Sequence, residues 1–335
     1  MIITKTPFRM SFFGGGTDME SFFKENGGSV LSTTFDKYCY VNVRHLPRFF
    51  DYSTELSYSK TERVTNIDDI EHPAIRNAMK MLDMHEIRLT YEADLPARSG
   101  LGTSSSFAVG MLNAFYALKG KYASKKQLAD EAIYLERVLC NETGGWQDQI
   151  AASFGGFNRI DFNADGYTVH PVIVSPQRKQ QLNNNLMMFF TGFTRFSSEI
   201  QKANKLDDES KTKQLKQMLT LVDEAESILT DQSKDLDNFG RLLDVTWKLK
   251  RQTGKSVSTS NIDNLYDKGI SAGALGGKLL GAGGGGFLVF YVTPEKQAAV
   301  KEAMKDLLYI PFKFEDSGTQ VIYYGPEDYS PVEVE

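Results

Sequence analysis

Pro96-Ala97-Arg98-Ser99-Gly100-Leu101-Gly102-Thr103-Ser104-Ser105-Ser106 is a glycine-rich loop that runs directly into an amphipathic helix. The helix reads from about Ser104 to Leu118, with Phe107, Met111, Phe115 and Leu118 on one stripe at three- and four-residue steps. A helix start presents backbone N–H groups without intrahelical partners and the positive end of the peptide dipoles. Glycines let the backbone approach a bound group, and hydroxyls add short donors, so the stretch reads as a cradle for phosphate. The competing reading is an ordinary capped helix, because serine and threonine cap helices in general. Two glycines around one leucine, followed by four hydroxyl residues, exceed what a cap requires.

Before this loop, Ile87 to Tyr91 alternates apolar and polar residues as a half-buried strand does, and Ile2 to Thr6 and Tyr38 to Val43 read as strands. After it, Ser124 caps a second helix with Gln127 at capping-box spacing, and Leu128, Ala132, Leu135 and Leu139 form its apolar stripe. That helix breaks at Asn141-Glu142-Thr143-Gly144-Gly145. A short helix from about Asp148 to Ser153 and a strand from Phe157 to Phe162 follow. The texture turns polar near Pro171 to Asn185, which predicts an N-terminal domain over 1–180 and a C-terminal domain over 181–335. The second half opens on a buried strand, Leu186 to Phe190. Helices follow over about 208–231, 235–252 and 261–273, the middle one carrying Phe239, Leu242, Leu243 and Trp247 on its apolar side. A glycine run, a strand from Phe287 to Val292, a helix opened by Pro294 and strands around Ile310 and Val321 complete it. This succession predicts an α+β fold with strand and helix layers in each half.

Three further clusters carry chemistry. Gly281-Ala282-Gly283-Gly284-Gly285-Gly286 formally contains GxGxxG, but a dinucleotide fingerprint needs strand, glycines and then helix. Here a helix is expected before the run and an apolar strand after it, which excludes a nicotinamide oxidoreductase. So many glycines are costly in chain entropy, and a chain segment or a ligand must come close to that backbone. Pro7-Phe8-Arg9 followed by Gly14-Gly15-Gly16-Thr17-Asp18 places a cation on an early strand before a tight loop ending in a carboxylate, which suits a polar ligand. Glu136 and Asp148 flank a glycine-broken loop that can fold both carboxylates towards one site. One on magnesium and one on a hydroxyl proton is what phosphoryl transfer requires. No Walker A sequence is present: Gly254-Lys255-Ser256 ends like one, but Leu249 stands where its upstream glycine belongs.

The chain has 335 residues, 41% of them hydrophobic, enough for a sizeable core and for two domains or one large one. The net charge of -5, without a long basic run, argues against nucleic acid and anionic membranes as partners. Cys39 and Cys140 lack metal-ligand spacing and fit reduced thiols of a cytoplasmic protein, no signal-peptide core opens the sequence, and no apolar run spans a bilayer. The four histidines show no pairing that suggests zinc.

In order, PFRMSFFGGGTD, PARSGLGTSSS and LLGAGGGGF resemble the three motifs of the GHMP kinase superfamily, which includes galactokinase, homoserine kinase, mevalonate kinase and phosphomevalonate kinase. The resemblance spans nearly the whole chain. It implies an N-terminal domain like ribosomal protein S5 domain 2, a ferredoxin-like C-terminal domain, and an active site in the cleft between them. It further implies that Pro96, Gly100, Leu101, Gly102, Thr103, Ser104, Ser105 and Ser106 form the ATP loop, and that Ser104 and Glu136 hold Mg2+. Asp148 then acts on the acceptor hydroxyl with Arg9 beside it, and Gly15, Gly16, Thr17, Asp18, Gly283 and Gly284 lie on the acceptor side. Galactokinases carry Gly-Glu-His-Thr-Asp in the first motif, and Gly15-Gly16 replace the Glu and His here, which removes two sugar contacts. FFGGGTD and Gly144-Gly145-Trp146-Gln147-Asp148-Gln149 look like the bacterial D-glycero-D-manno-heptose 7-phosphate kinases, which phosphorylate the anomeric hydroxyl for nucleotide-activated heptose and surface glycans. Fucokinase domains share much of this pattern, so fucokinase- or galactokinase-type activity is the alternative. A non-catalytic nucleotide or sugar sensor is the alternative of another class. A heptose 7-phosphate needs a basic subsite, for which Arg44, Arg98, Arg195 and Lys278 are the candidates. The partner expected is a small sugar phosphate, bound by a monomer or a homo-oligomer.

Overall fold

The computed structural model describes residues 1–97, 99–192, 208–254 and 256–326, so Arg98 and Arg195 lie outside the described residues. The described strands form two sheets, of nine and four strands. The first is built on β1 (Ile2–Phe13) and β2 (Gly28–His45), antiparallel from Ile2↔Val43 to Phe13↔Leu31. Both run well beyond the expected Thr6 and Tyr38 limits. Pro7 lacks an N–H and would ordinarily end a ladder, but the register shifts between Pro7 and Phe8, and this irregularity lets the strand continue. Long β2 serves two neighbours: Cys39–His45 pairs β5 (Ile87–Ala93) and Gly28–Thr33 pairs β6 (Phe157–Asn163), which pairs β7 (Gly166–Pro171). The hairpin β3 (Thr54–Ser57) and β4 (Thr61–Val64) joins through a parallel β3–β5 pair.

Helices α1 (Glu20–Asn26), α2 (Pro73–Met81), α3 (Thr103–Leu118), α4 (Lys125–Ile133) and α5 (Gln147–Phe154) accompany this sheet. α3 is buried along most of its length, with Phe107, Met111, Leu112 and Phe115 in the core. Gly110 brings it close to β1: a methyl group there would meet Thr6 Oγ1 at 2.6 Å, while the Thr4 hydroxyl donates to Gly110 O at 2.9 Å. Ser124 Oγ accepts from Gln127 N at 3.2 Å, as the capping-box spacing predicts.

In the second half, α6 (Pro176–Asn184) precedes β8 (Leu186–Phe190). α7 (Asp208–Thr230), α8 (Asp237–Arg251), α9 (Ser260–Ser271), β9 (Gly276–Leu279), β10 (Phe287–Tyr291), α10 (Pro294–Ala303) and β11 (Leu308–Ile310) follow. The second sheet runs β11-β8-β10-β9, all antiparallel. Strand β9 corrects the expectation of a helix directly before the glycine run: residues 281–286 turn a β9–β10 hairpin. Gly276 and Gly277 hide the strand from a propensity reading, because methyl groups there would fall 1.9 Å from Gly240 O and 2.4 Å from Val289 O.

The two sheets share one core. Phe12 and Phe13 of β1 pack against Phe239 of α8, edge-on, with ring centroids 5.4 and 5.0 Å apart. Beyond residue 310 the chain recrosses the expected division at 180: β12 (Phe314–Glu315) pairs β2 and β13 (Gln320–Tyr324) pairs the outer edge of β1.

Candidate active site

The loop before α3 turns through two left-handed glycines, Gly100 (φ 83°) and Gly102 (φ 72°), and no side chain caps the helix. The serine and threonine run therefore does something other than capping. Ser104 is exposed, while Thr103, Ser105 and Ser106 are buried. Ser106 donates to Pro7 O at 3.0 Å, fastening α3 to β1. Leu101 is buried and its carbonyl accepts from Arg9 N at 3.2 Å. Pro96 sits exposed at the loop's entry. Gly100, Gly102 and Ser104 thus form the accessible part of the stretch, and Leu101, Ser105 and Ser106 hold it in place.

Asp148 lies in the first turn of α5 against this loop. Its Oδ1 meets Arg9 Nε at 2.8 Å, and Arg9 Nη1 donates to Gly100 O at 2.7 Å. The arginine side chain is 5% exposed and the aspartate 25%, so the pair is buried from one side and open from the other. A methyl group at Gly102 would lie 3.4 Å from Asp148 Cγ and 3.3 Å from Arg9 Cγ. The phosphate-type loop, the cation and the carboxylate are in contact.

Asp18 is folded in beside them. Its carboxylate accepts from Gly16 N at 2.8 Å and Gln147 N at 3.3 Å, and Trp146 N donates to its carbonyl at 3.1 Å. The break at Gly144-Gly145 makes room: a methyl group at Gly145 would fall 1.9 Å from Asp18 Oδ2. Burial pushes the Asp18 carboxyl up from its ordinary range, and the neighbouring Asp148 adds to the shift. Thr17 is fully buried and donates to Gly14 O and Ser29 O, so its side chain locks the turn. Gly15 and Gly16 are partly exposed. A methyl group on Gly15 would point between Ser11 Oγ and Gln147 Nε2, at 3.6 and 3.7 Å. Ser11 Oγ and Gln147 Oε1 are buried with no hydrogen-bond partner. Sequence reasoning missed both residues, although Ser11 lies within PFRMSFFGGGTD and Gln147 stands next to Asp148.

Glu136 stands in a π-helical turn, Tyr134–Leu139, that continues α4, the kind of distortion that often marks functional positions. Its oxygens accept from Ser104 Oγ at 2.8 Å, Ser105 Oγ at 2.7 Å and the Gln149 amide. An exposed hydroxyl beside a carboxylate fits magnesium, which takes few protein oxygens and completes its shell with phosphate and water.

The third glycine cluster meets chain segments. A methyl group at Gly281 would lie 2.3 Å from Gly100 Cα, and one at Gly286 2.1 Å from Ser99 O. Gly283 and Gly284, expected on the acceptor side, pack instead on Val257: a methyl group at Gly283 would be 2.5 Å from Val257 O, and Gly284 N donates to that carbonyl at 3.0 Å. Two candidates for the basic subsite are displaced. Lys278 is buried and donates to Ser11 O and Phe12 O, both at 2.8 Å; it ties β9 to β1, and burial pushes its amine well down. Arg44 of β2 pairs in register with Arg88 of β5, ten residues along β2 from the Thr34 that faces Arg9, about 30 Å at strand rise. Lys250, in the last turn of α8 and not singled out by the sequence reading, sits at the centre instead. Its Nζ donates to Gly281 O, and its amine feels the charges of Arg9, Asp18 and Asp148.

Among the described residues no helix is long and apolar enough to cross a membrane. The family model "GHMP kinases N terminal domain" matches residues 70–156, and "GHMP kinases C terminal" matches 224–310. A curated relative, D-glycero-alpha-D-manno-heptose 7-phosphate kinase of Campylobacter jejuni, is 30% identical over 91% of this chain and 93% of its own length. An L-fucokinase/L-fucose-1-P guanylyltransferase of Bacteroides fragilis is 26% identical over 89% of this chain and 35% of its own length. The crystal structure of a D-glycero-D-manno-heptose 1-phosphate kinase from Bacteroides thetaiotaomicron superposes with a TM-score of 0.78 at 24% identity, covering 98% of this chain and 100% of that one, a likeness of fold.

Proposed function

From the premise that this chain belongs to the GHMP kinases, phosphotransferases that move a phosphoryl group from ATP to an alcohol, we propose that its acceptor is the anomeric hydroxyl of D-glycero-D-manno-heptose 7-phosphate. The observation that carries this reading is the Arg9–Asp148 pair lodged against Gly100 and Gly102. Asp148 accepts the hydroxyl proton as the acceptor oxygen bonds to the γ-phosphorus, and the bond from that phosphorus to the ADP oxygen breaks. Arg9 holds the carboxylate in place and favours the negative charge that develops. Pre-positioning supplies the rest, with the glycine loop and the start of α3 holding the phosphates. Magnesium on Ser104 and Glu136 would neutralise phosphate charge there. Asp18 and the unpartnered Ser11 and Gln147 atoms beside Gly15 suit a ligand rich in hydroxyls.

An acceptor panel read by coupled ADP release tests the reading. Heptose 7-phosphate is expected to exceed unphosphorylated heptose, fucose and galactose in kcat/KM by at least about 100-fold, some 2.7 kcal/mol of differential transition-state binding. Higher turnover of fucose or galactose overturns the heptose assignment, and no turnover of any sugar would favour a sensor. Glu136→Gln is expected to raise the Mg2+ concentration for half-maximal activity about 10- to 100-fold, the usual cost of disturbing a metal's ligand environment. An unchanged Mg2+ titration places the metal elsewhere.

A further inference from the structure

Helix α8 delivers a cation from the C-terminal half to the reacting centre. Phe239 and Lys250 are eleven residues apart, close to three full turns, so they lie on one face of the helix. Phe239 is wedged between Phe12 and Phe13 of β1, and Leu243 and Thr246 continue the buried stripe. Lys250 is the next member of that stripe, at the point where it reaches the glycine loops. It donates to Gly281 O; Gly281 lies on Gly100, and Gly100 O holds Arg9 Nη1. The residue as a whole is partly exposed, while its amine is buried. An ammonium has three donors, and Gly281 takes one. The neighbouring cations are committed: Arg9 to Asp148 and Gly100 O, and Lys278 to the Ser11 and Phe12 carbonyls.

We propose that Lys250 is a catalytic residue whose ammonium binds the phosphoryl group as it passes from ATP to the acceptor oxygen. It keeps its proton and forms no covalent bond. The run of contacts from Lys250 through Gly281 and Gly100 to Arg9 and Asp148 sets its ammonium within reach of the same phosphate loop and carboxylate. The proposal rests on the phosphotransferase reading but not on the identity of the sugar.

The groups facing Lys250 set its pH behaviour. Burial pushes its amine down to about 8 and Arg9 pushes in the same direction, while Asp18 and Asp148 pull it back up. Lys278 is a further cation in range of it. The protonated form needed for catalysis is therefore lost as pH rises through this region.

The test uses the full chain and whichever acceptor it phosphorylates fastest. Lys250→Met is expected to lower kcat at least 100-fold with the KM values for ATP and acceptor within threefold and the unfolding temperature not lowered. Lys250→Arg is expected to recover at least a tenth of the activity and to move the alkaline limb of the kcat profile up by more than one pH unit, because guanidinium does not deprotonate in that range. A second arm needs no acceptor: calorimetry with ADP plus aluminium fluoride, a planar mimic of the transferred group. Lys250→Met should weaken the mimic at least tenfold and leave ADP alone unchanged. If the wild type phosphorylates no alcohol, the functional reading fails, and the mimic still decides Lys250. Unchanged mimic binding overturns the proposal, as does a loss confined to acceptor KM, which would make Lys250 a reader of the acceptor's own phosphate. If Lys250→Met does not fold, an alkaline limb unmoved in Lys250→Arg overturns it equally.

Discussion

Asp148→Asn is expected to lower kcat about 1,000-fold while ATP affinity stays within threefold. A positioned general base contributes roughly 100- to 10,000-fold, and the middle of that range corresponds to about 4 kcal/mol of barrier. The substitution preserves shape, and the asparagine oxygen can still accept from Arg9 Nε, now at 2.8 Å from Asp148. What disappears is the capacity to take a proton and the negative charge beside a nearly buried guanidinium. Removing one partner of a buried pair is itself destabilising, so unfolding must be followed in parallel. Wild-type kcat in a folded Asp148→Asn protein would remove the base from the mechanism.

The second large effect is structural. Gly281→Ala is expected to destabilise the protein by about 2–5 kcal/mol and to lower kcat/KM for ATP more than tenfold. Two costs combine. The residue sits at φ 81°, where an L-side chain costs about 1–2 kcal/mol. The added methyl would also fall 2.3 Å from Gly100 Cα and 2.7 Å from Gly100 O, backbone atoms with no rotamer to change, an overpacking cost of about 1–3 kcal/mol. Gly120→Ala is the control: its φ is 66°, but nothing lies within 4 Å of the added group. It should show the backbone cost alone and leave ATP kinetics intact. Equal effects from the two substitutions, by denaturant titration, would mean the loop-to-loop contact contributes nothing.

The parts of this molecule written locally were legible in the sequence. The start of α3 follows from glycines and hydroxyls within a few positions of one another, and the α4 cap from Ser124 and Gln127. The meeting of Arg9 with Asp148 became legible only through a resemblance, because no local rule joins residues 139 apart in sequence. Strand β9 was hidden because Gly276 and Gly277 answer to Gly240 and Val289, partners that exist only after folding. Lys278 read as a candidate for the basic subsite because sequence does not show that Ser11 and Phe12 turn their carbonyls towards it. For Lys250 a signal was present: a lysine one turn after Thr246 and two after Leu243 falls on the apolar stripe. It was masked by Lys248 and Arg251, which make an ordinary basic helix end.

The pairing of β13 with β1 joins Ile2 to Tyr324, roughly 320 residues apart along the chain, a costly loop to close. During synthesis the ribosome releases β1 long before β13, so one margin of the large sheet stays bare until residues 320–324 have emerged. Such a margin is a template for misassembly with other nascent chains. A chain stopped after residue 310 would still contain Arg9, Asp148 and Lys250 and yet be a sticky, unsealed product.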